Sequence, residues 1–466
     1  DDVKANAQAA AFSDPRFKPL SVEEYERIDI EVSLLSGLTP MQFNDEASAM
    51  AQLQPMVHGV IFEYGFHRST FLPQVWESLG DPRQFLAALK RKRLVRYASS
   101  SAAIDSGRLA GTSVEDERGP LVSVIIPARN EAEKIADCFR SLLRSEGVTF
   151  EILAVNDRSE DATGELMDAA ARADARLRVI HLRECPADWL GKNHAMHRAS
   201  LEARGRLLLF TDGDILYEPQ TLLAAVRYFQ QHQLQHMCLL PEMICGSLLE
   251  SVMTTFFGMS FAIGTQLHLI RTRFPLAYAG VGAFNLVEAD FYRRLGGHQP
   301  IRLDVLDDVK LGKLIKCRGG RSDFLLADGL LSVRWQPSLW GVVTGLEKNA
   351  FASVNYSLRG MLFLTLLFSV FFVLPVALPL LSLAGQVSSE DAAGWLATVV
   401  LWHVLFAWLA WGQRGFLLQI PLFLAGPFLM AFAWWRSAVI TLRQGGVRWR
   451  NSFYPLQQLR EAVFRG

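Results

Sequence analysis

The stretch LLLFTDGDILYEP, residues 207–219, decides the fold. Four aliphatic or aromatic residues run straight into Asp212 and Asp214, which only Gly213 separates. A short, continuous apolar run bounded by turn residues reads as a strand buried on both faces. Two carboxylates this close repel each other unless a cation sits beside them. At a strand end facing the crevice of an α/β sheet, such a pair offers oxygen ligands suited to Mg2+ or Mn2+. A solvated Asp-Gly turn explains the same residues, so the neighbouring segments have to decide.

Working outward, LVSVIIP (121–127), FEILAVND (150–157), LRVIHL (177–182) and RLLLFTD (206–212) alternate with helical patterns. This alternation predicts an α/β domain: a Rossmann-like, mostly parallel sheet with helices on both faces. After the first strand, Asn130 reads as an N-cap, followed by a helix with Ile135, Phe139, Leu142 and Leu143 on one face. Ligands of such sheets bind in the crevice beyond the carboxyl ends of the strands. Asn130, Asp157 and Asp212 are therefore expected to converge. DWLGKNHAMHRAS (188–200) sets Lys192 and Asn193 at a helix start, where free N–H groups favour an anion. RLDVLDDVKLGKLIK (302–316) sets Asp307 and Asp308 at another helix start, with Leu311, Leu314 and Ile315 on its buried face. A cation, a carboxylate able to accept from a ribose or base, and an acid pair together describe a pocket for a nucleotide diphosphate.

Composition bounds these readings. The chain has 466 residues, half of them hydrophobic, with 47 basic and 47 acidic side chains. It is long enough for two or three domains and carries no excess charge for gripping nucleic acid. Cys138, Cys185, Cys238, Cys245 and Cys317 are scattered without CxxC spacing, so neither a zinc knuckle nor a disulfide framework is expected, and a reducing compartment fits. The opening stretch DDVKANAQAAAF lacks an apolar core of signal-peptide length, and the chain reads as a fragment or a processed product.

Three nearly charge-free runs, 361–384, 393–411 and 416–434, each approach the ~20 residues that cross a bilayer core. They predict a region of about three transmembrane helices over 359–437, the first kinked or re-entrant at Pro375 and Pro379. The loop SLAGQVSSEDAAG (382–394) holds no basic residue and is expected on the far side. Three crossings would put the basic tail, 438–466, on that far side too, against the charge bias; Trp449 and Tyr454 among its arginines suit an interfacial segment. Residues 247–270, apolar but containing Glu250 and His268, read as an amphipathic surface helix or a core helix. His298 is a candidate for lining an acceptor's entry.

Residues 1–97 form a small α+β unit, joined by the polar, small-residue linker 98–118. Ser21 and Glu24 make a capping box, IDIEVSLL alternates as a strand, GVIFEYGFHRSTFL reads as a hairpin around Gly65, and Asp81-Pro82 opens a helix.

These residues carry two resemblances. VSVIIPARNE (122–131), VNDRSED (155–161), the DGD triplet as a DxD motif and LDDVKLG (306–312) as an (E/D)D motif stand in the expected order of a family 2 glycosyltransferase with the GT-A fold, spanning 119–358. With the apolar runs after it, the chain is similar to the bacterial membrane-anchored group of ceramide glucosyltransferases and hopanoid- or carotenoid-associated glycosyltransferases. The resemblance implies that Ala128, Glu131 and Asp157 contact the nucleoside and that Lys192 lies near the base or phosphates. It further implies that Asp212 touches the ribose or the metal, that Asp214 binds Mg2+ or Mn2+, and that Asp308 is the general base with Asp307 as its support. The implied reaction is an inverting transfer of one sugar from a nucleotide-sugar, with UDP as the expected nucleotide, to a lipid hydroxyl. The implied location is the bacterial inner membrane, multi-pass, with the catalytic domain facing the cytoplasm.

Many members carry Q-x-x-R-W after the base. Here TGLEKNAF puts Lys348 and Asn349 at those positions, which argues against a processive synthase and leaves Lys348 as a point charge for the diphosphate. Arg334-Trp335 belongs to the strand-like LLSVRW and is set aside as an equivalent. Two other readings remain: transfer to a polyprenyl phosphate, and a non-catalytic membrane-tethered binding protein. Residues 1–97 resemble a truncated AMMECR-type domain through DDVKANAQAAAFSDPRFKPL, IDIEVSLL and HGVIFEYGFHRSTFLPQVWESLGDPRQFLAALK. The Arg-Gly-Cys segment that precedes these in that family is absent, since no cysteine comes before Cys138.

Overall fold

The computed structural model describes residues 119–464, apart from 328, 337, 387, 411–415 and 451, together with 41, 50–64, 67–71, 76, 81 and 82. The chain divides into two compact units, Asp1–Arg93 and Leu94–Gly466. In the first, strands Val60–Tyr64 and His67–Phe71 pair antiparallel with Tyr64 opposite His67, the hairpin expected around Gly65. Trp76 is buried, and its Nε1 donates to the His58 carbonyl at 2.7 Å. The capping box at Ser21, the strand IDIEVSLL and the helix after Pro82 lie outside the described residues.

The second unit is built on a seven-stranded sheet. Its strands are β1 (Val122–Ala128), β2 (Phe150–Asp157), β3 (Leu177–Leu182), β4 (Leu207–Phe210), β5 (His236–Leu240), β6 (Asn285–Glu288) and β7 (Ser322–Leu326), in the order β7-β5-β6-β4-β1-β2-β3. All neighbours run parallel except β6, which is antiparallel to both β4 and β5. Each central strand is apolar on both sides because each face has its own core. Val122, Val124 and Ile126 pack on one face with Phe139 and Leu142 of helix α1 (Ile135–Leu143). Ile125, Leu153 and Val155 pack on the other with Ala195, Met196 and Ala199 of α2 (Gly191–Glu202). The mostly parallel sheet with helices on both faces is thus present. Asn130 is not the cap of α1: it takes a left-handed φ of 56°, and its Oδ1 accepts from the Glu160 N–H at 2.8 Å, bridging the loops after β1 and β2.

The helical part differs from the three expected crossings. Among the described residues, two helical stretches are long and apolar enough to cross a membrane, Leu248–Thr265 (α3) and Leu358–Leu383. In the latter, a π-helical turn at Ser369–Val373 precedes Pro375, whose missing N–H breaks the regular ladder. The second run forms helix Ser389–Ala410. The third is broken: helix Phe416–Gln419 gives way to tight turns through Pro421, and helix Ala425–Gln444 then begins. That last helix is tied to Glu347–Ser353, where Arg436 Nε donates to Glu347 at 2.6 Å and Ser437 Oγ accepts from the Phe351 N–H at 3.0 Å.

The tail also departs from the interfacial segment expected. Gly446–Trp449 and Ser452–Pro455 form an antiparallel hairpin, followed by helix Leu456–Ala462. Val447, Tyr454, Leu456 and Leu459 are buried with Leu190, Leu303 and Val305 of the α/β domain. Alternating apolar residues with a place to pack fold back onto the domain in preference to lying exposed.

Candidate active site

The parallel strands β1, β2 and β4 end on the same side of the sheet, and the loops beyond them line one cavity of about 420 Å3. Ala128, Glu131, Asp157, Lys192, Asp212, Asp214, Asp307, Asp308 and Lys348 all face it. Residues up to 220 positions apart in the chain meet there because each sits at a strand end, a helix start or the helix that follows.

Asp212 is fixed by the backbone: its N–H donates to the Gly282 carbonyl at 3.0 Å, while Thr211 Oγ1 donates to the Ala283 carbonyl at 2.7 Å. Lys192 Nζ lies 2.8 Å from Asp212 and 3.3 Å from Asp307, joining the two acidic pairs through one ammonium. Burial works against that charge, but Asp212, then Asp307 and Asp308, outweigh it and hold Lys192 above the ordinary lysine value. Asp214 is paired with Lys134 Nζ at 3.1 Å. Even so, burial first and the Asp212 charge second raise the Asp214 carboxyl above its usual range. Lys134 does not fully offset that burial and repulsion.

Asp307 and Asp308 open helix α4 (Asp307–Cys317). The Asp308 carboxylate accepts from two backbone N–H groups, Gly282 at 2.8 Å and Val309 at 2.8 Å. Burial, with the neighbouring Asp307 charge second, pushes it up to about 6; burial raises Asp307 as well. Gly282 therefore serves both pairs, its carbonyl holding Asp212 and its N–H holding Asp308. A Cβ on Gly282 would stand 2.7 Å from Asp212 Oδ2, so any larger residue there would push the Asp212 carboxylate out of place.

Lys348 is no exposed helix lysine. Its Nζ lies 3.9 Å from the ring centroid of Trp449, and burial first, Lys192 second, lower it to about 8. The C-terminal hairpin brings further residues to the cavity. Arg450, at its tip with φ 53°, pairs with Glu131; Arg129 Nη1 donates to Ser452 Oγ at 3.4 Å; and Tyr454 OH accepts from the Gly191 N–H at 3.3 Å. Asp157 lines the cavity with its carboxylate held by Arg158 Nε at 2.8 Å.

Other expectations are redirected. Asn193 is buried and donates to the Ile301 and Asp304 carbonyls at 2.9 and 3.0 Å, so it fixes the loop before α4 and does not face an anion. His298 is buried against Tyr292, 2.5 Å from its hydroxyl, and does not line this cavity; burial lowers it to about 3. Glu250 caps α3 and pairs with Arg334 at 3.1 Å, which sets Trp335 in the cavity wall.

Gly282, Trp335, Trp449, Arg450 and Tyr454 were not predicted as site residues. The alternation around Arg450 signals a hairpin, but nothing local gives its destination. Among the described residues, no three His, Cys, Asp or Glu side chains converge to hold a metal by themselves. The two loop carboxylates, with an ammonium group already drawn to Asp214, would hold a divalent cation only with further oxygen ligands from elsewhere.

Comparison with known proteins gives two domain matches: residues 123–296 with the model described as glycosyl transferase family 2, and residues 1–106 with AMMECR1. The uncharacterized glycosyltransferase EpsJ of Bacillus subtilis (strain 168) is 40% identical over 95 residues, covering 20% of this chain and 26% of that protein. The 4,4'-diaponeurosporenoate glycosyltransferase of Staphylococcus aureus (strain MRSA252) is 23% identical over 195 residues, 41% of this chain and 50% of that one. The chain thus spans from about a quarter to half the length of these relatives. A mannosyltransferase of Pyrobaculum calidifontis, solved with GDP-Man and Mn2+, superposes with a TM-score of 0.40 at 18% identity, over 68% of this chain and 87% of that one.

Proposed function

We propose that the family 2 glycosyltransferase domain carried by this chain, which has the GT-A fold, moves one sugar from a nucleotide-diphosphate donor to a hydroxyl of a membrane lipid, with inversion. The observation that carries this reading is the meeting of two acidic pairs, one loop-borne and one at a helix start, across a single cavity with an apolar far wall.

Ala128, Glu131 and Asp157 receive the nucleoside, with UDP the expected base-bearing group, and Lys192, Lys348 and Arg450 receive the phosphates. Mg2+ or Mn2+ bound at Asp214 and Asp212 supplies neutralisation of the charge on the departing diphosphate. Asp308, held by two N–H groups and raised toward neutrality, takes the proton of the acceptor hydroxyl as its oxygen bonds to the anomeric carbon. The bond from that carbon to the diphosphate oxygen breaks as this one forms, and its electron pair leaves with the nucleotide. Asp307 keeps Lys192 in place beside the base. One displacement inverts the anomeric carbon and requires no sugar-enzyme intermediate.

Stretches 358–383 and 389–410 make a pair of crossings that returns the chain to its starting side, the cytoplasmic face of a bacterial inner membrane. Helix Ala425–Gln444 and the tail then stay beside the catalytic domain, as their packing supports. Two crossings also remove the conflict between a basic tail and the charge bias.

The test is release of UDP from UDP-sugars by the purified full chain with Mn2+, followed by transfer to an extracted lipid fraction. Asp308→Asn is expected to abolish transfer to a hydroxyl. Transfer that survives it would point to an already anionic acceptor such as a polyprenyl phosphate. No donor turnover with any UDP-, GDP- or TDP-sugar would leave only a tethered binding protein.

A further inference from the structure

Helix α3 is claimed on two sides. Val252, Met253, Phe256 and Met259 are buried in the helical core, with the Phe256 ring 6.2 Å from that of Phe423. Thr254, Phe257, Gly258 and Phe261, spaced three, four and seven apart, face the cavity that holds Asp308. Phe257 packs on Trp335 with ring centroids 5.1 Å apart, and Phe261 lies 6.3 Å from Phe257. Gly258 lines the same cavity, next to Phe257 in the chain. A Cβ built there meets nothing within 4 Å, whereas one on Gly426, in the helix packed against Phe256, would come within 2.9 Å of that side chain. Packing therefore demands a glycine at 426 and does not at 258. Glycine inside a helix weakens it relative to alanine, so Gly258 keeps a notch open in the cavity wall at the helix's expense.

We propose that Gly258 sets which acceptor fits. The carbon skeleton next to the acceptor's hydroxyl lies in the notch, along the wall that also carries Phe257, Trp335 and Phe261, with the hydroxyl directed to Asp308. The chemical class is a long-chain lipid alcohol, because the wall from Leu240 and Met243 through Val281 to Trp335 is apolar. Ligand sites are mostly apolar with a few convergent polar groups, and here the polar group is the base. This inference rests on the glycosyltransferase reading for the direction of the hydroxyl; the notch itself does not.

The experiment uses the full chain in detergent micelles, a diazirine-bearing hexadecanol as photoprobe with hexadecanol as competitor, and the UDP-Mn2+ thermal shift as a separate readout. Gly258→Leu is expected to cut competable labelling of residues 248–265 at least tenfold and to leave the UDP-Mn2+ shift unchanged. Gly258→Ala adds one carbon to open space. It is expected to raise the melting temperature and reduce labelling severalfold, which keeps the test decisive should the leucine variant misfold. Labelling at the unmodified level in both variants overturns the proposal, as does loss of the UDP-Mn2+ shift together with the labelling. Absence of that shift in the unmodified chain counts against the glycosyltransferase reading alone, since the alcohol probe needs no donor.

Discussion

The two acidic pairs are made of the same residue type and are linked by one lysine, yet they are built for different work. Asp212 and Asp214 sit on a loop, partly open to the cavity, each with its own ammonium partner. Asp307 and Asp308 sit in the first turn of a helix, the former buried and the latter half-buried, where Asp308 is held by N–H groups and pushed up to about 6. Access from the cavity would let the loop pair exchange a lysine for a metal ion. Burial and fixed dipoles hold a carboxylate in one geometry at a proton affinity useful near neutral pH. Environment, more than residue identity, divides the roles.

The sharpest way to break this contrast is Asp308→Asn. Loss of a general base lowers transfer by roughly 10²- to 10⁴-fold, while the UDP-Mn2+ thermal shift, which depends on the loop pair, should persist. The same change should stabilise the fold at pH 8. The folded value of Asp308 lies above that of an unfolded aspartate, so its stabilising contribution is complete below about 4 and is lost as pH rises through about 6. Replacing it removes a cost on the order of 1 to 3 kcal/mol at pH 8 and nearly none at pH 4, which paired melting curves will read. Equal effects at both values would show that Asp308 ionises freely.

Asp214→Ala should act on the other member of the contrast. At donor concentrations near 100 times the dissociation constant, the ligand contributes about 2.7 kcal/mol of stabilisation, and the variant should lose the Mn2+-dependent part. An unchanged metal response would remove the loop pair from the cation site.

Gly282→Ala strikes both pairs through their shared residue, since the added carbon meets Asp212 Oδ2 at 2.7 Å. We expect UDP-Mn2+ affinity and turnover both to fall by about tenfold, as displacement of a site group by an ångström or less costs up to ~10²-fold. A variant that loses only one of the two functions would show that the pairs are positioned independently. The smallest effect belongs to Asp307→Asn. The Asp307 charge contributes to raising Asp308, so its removal should move the acidic limb of the kcat/KM profile to lower pH. A shift to higher pH would mean that Lys192, no longer held by Asp307, has moved away from Asp308, whose carboxyl its charge otherwise lowers.

What was legible in the sequence follows from where the information lies. The run LLLF into DGD and the LDDVKLG start carry their meaning within a few residues, because strand ends and helix starts are set by local pattern and parallel strands deliver their ends to one side. Lys348 was found by its position and its surroundings were not, since Trp449 reaches it from a hundred residues later. The broken run at Pro421 was hidden by an apolar composition that a crossing helix shares. Gly282 and Gly258 show the limit most clearly: one is needed for a contact across the fold and the other for a space, and neither leaves a mark in the neighbouring residues.

The C-terminal hairpin carries a consequence for biogenesis. Trp449, Arg450 and Tyr454 leave the ribosome only after every apolar helix between 358 and 444 has been made. A nascent chain therefore holds its acids and its sheet early but lacks one wall of its pocket, and it gains the ability to retain a donor only when translation has passed the hairpin and the helices before it have found their places. On the proposed glycosyltransferase reading, incompletely assembled molecules would in this way be kept from consuming nucleotide.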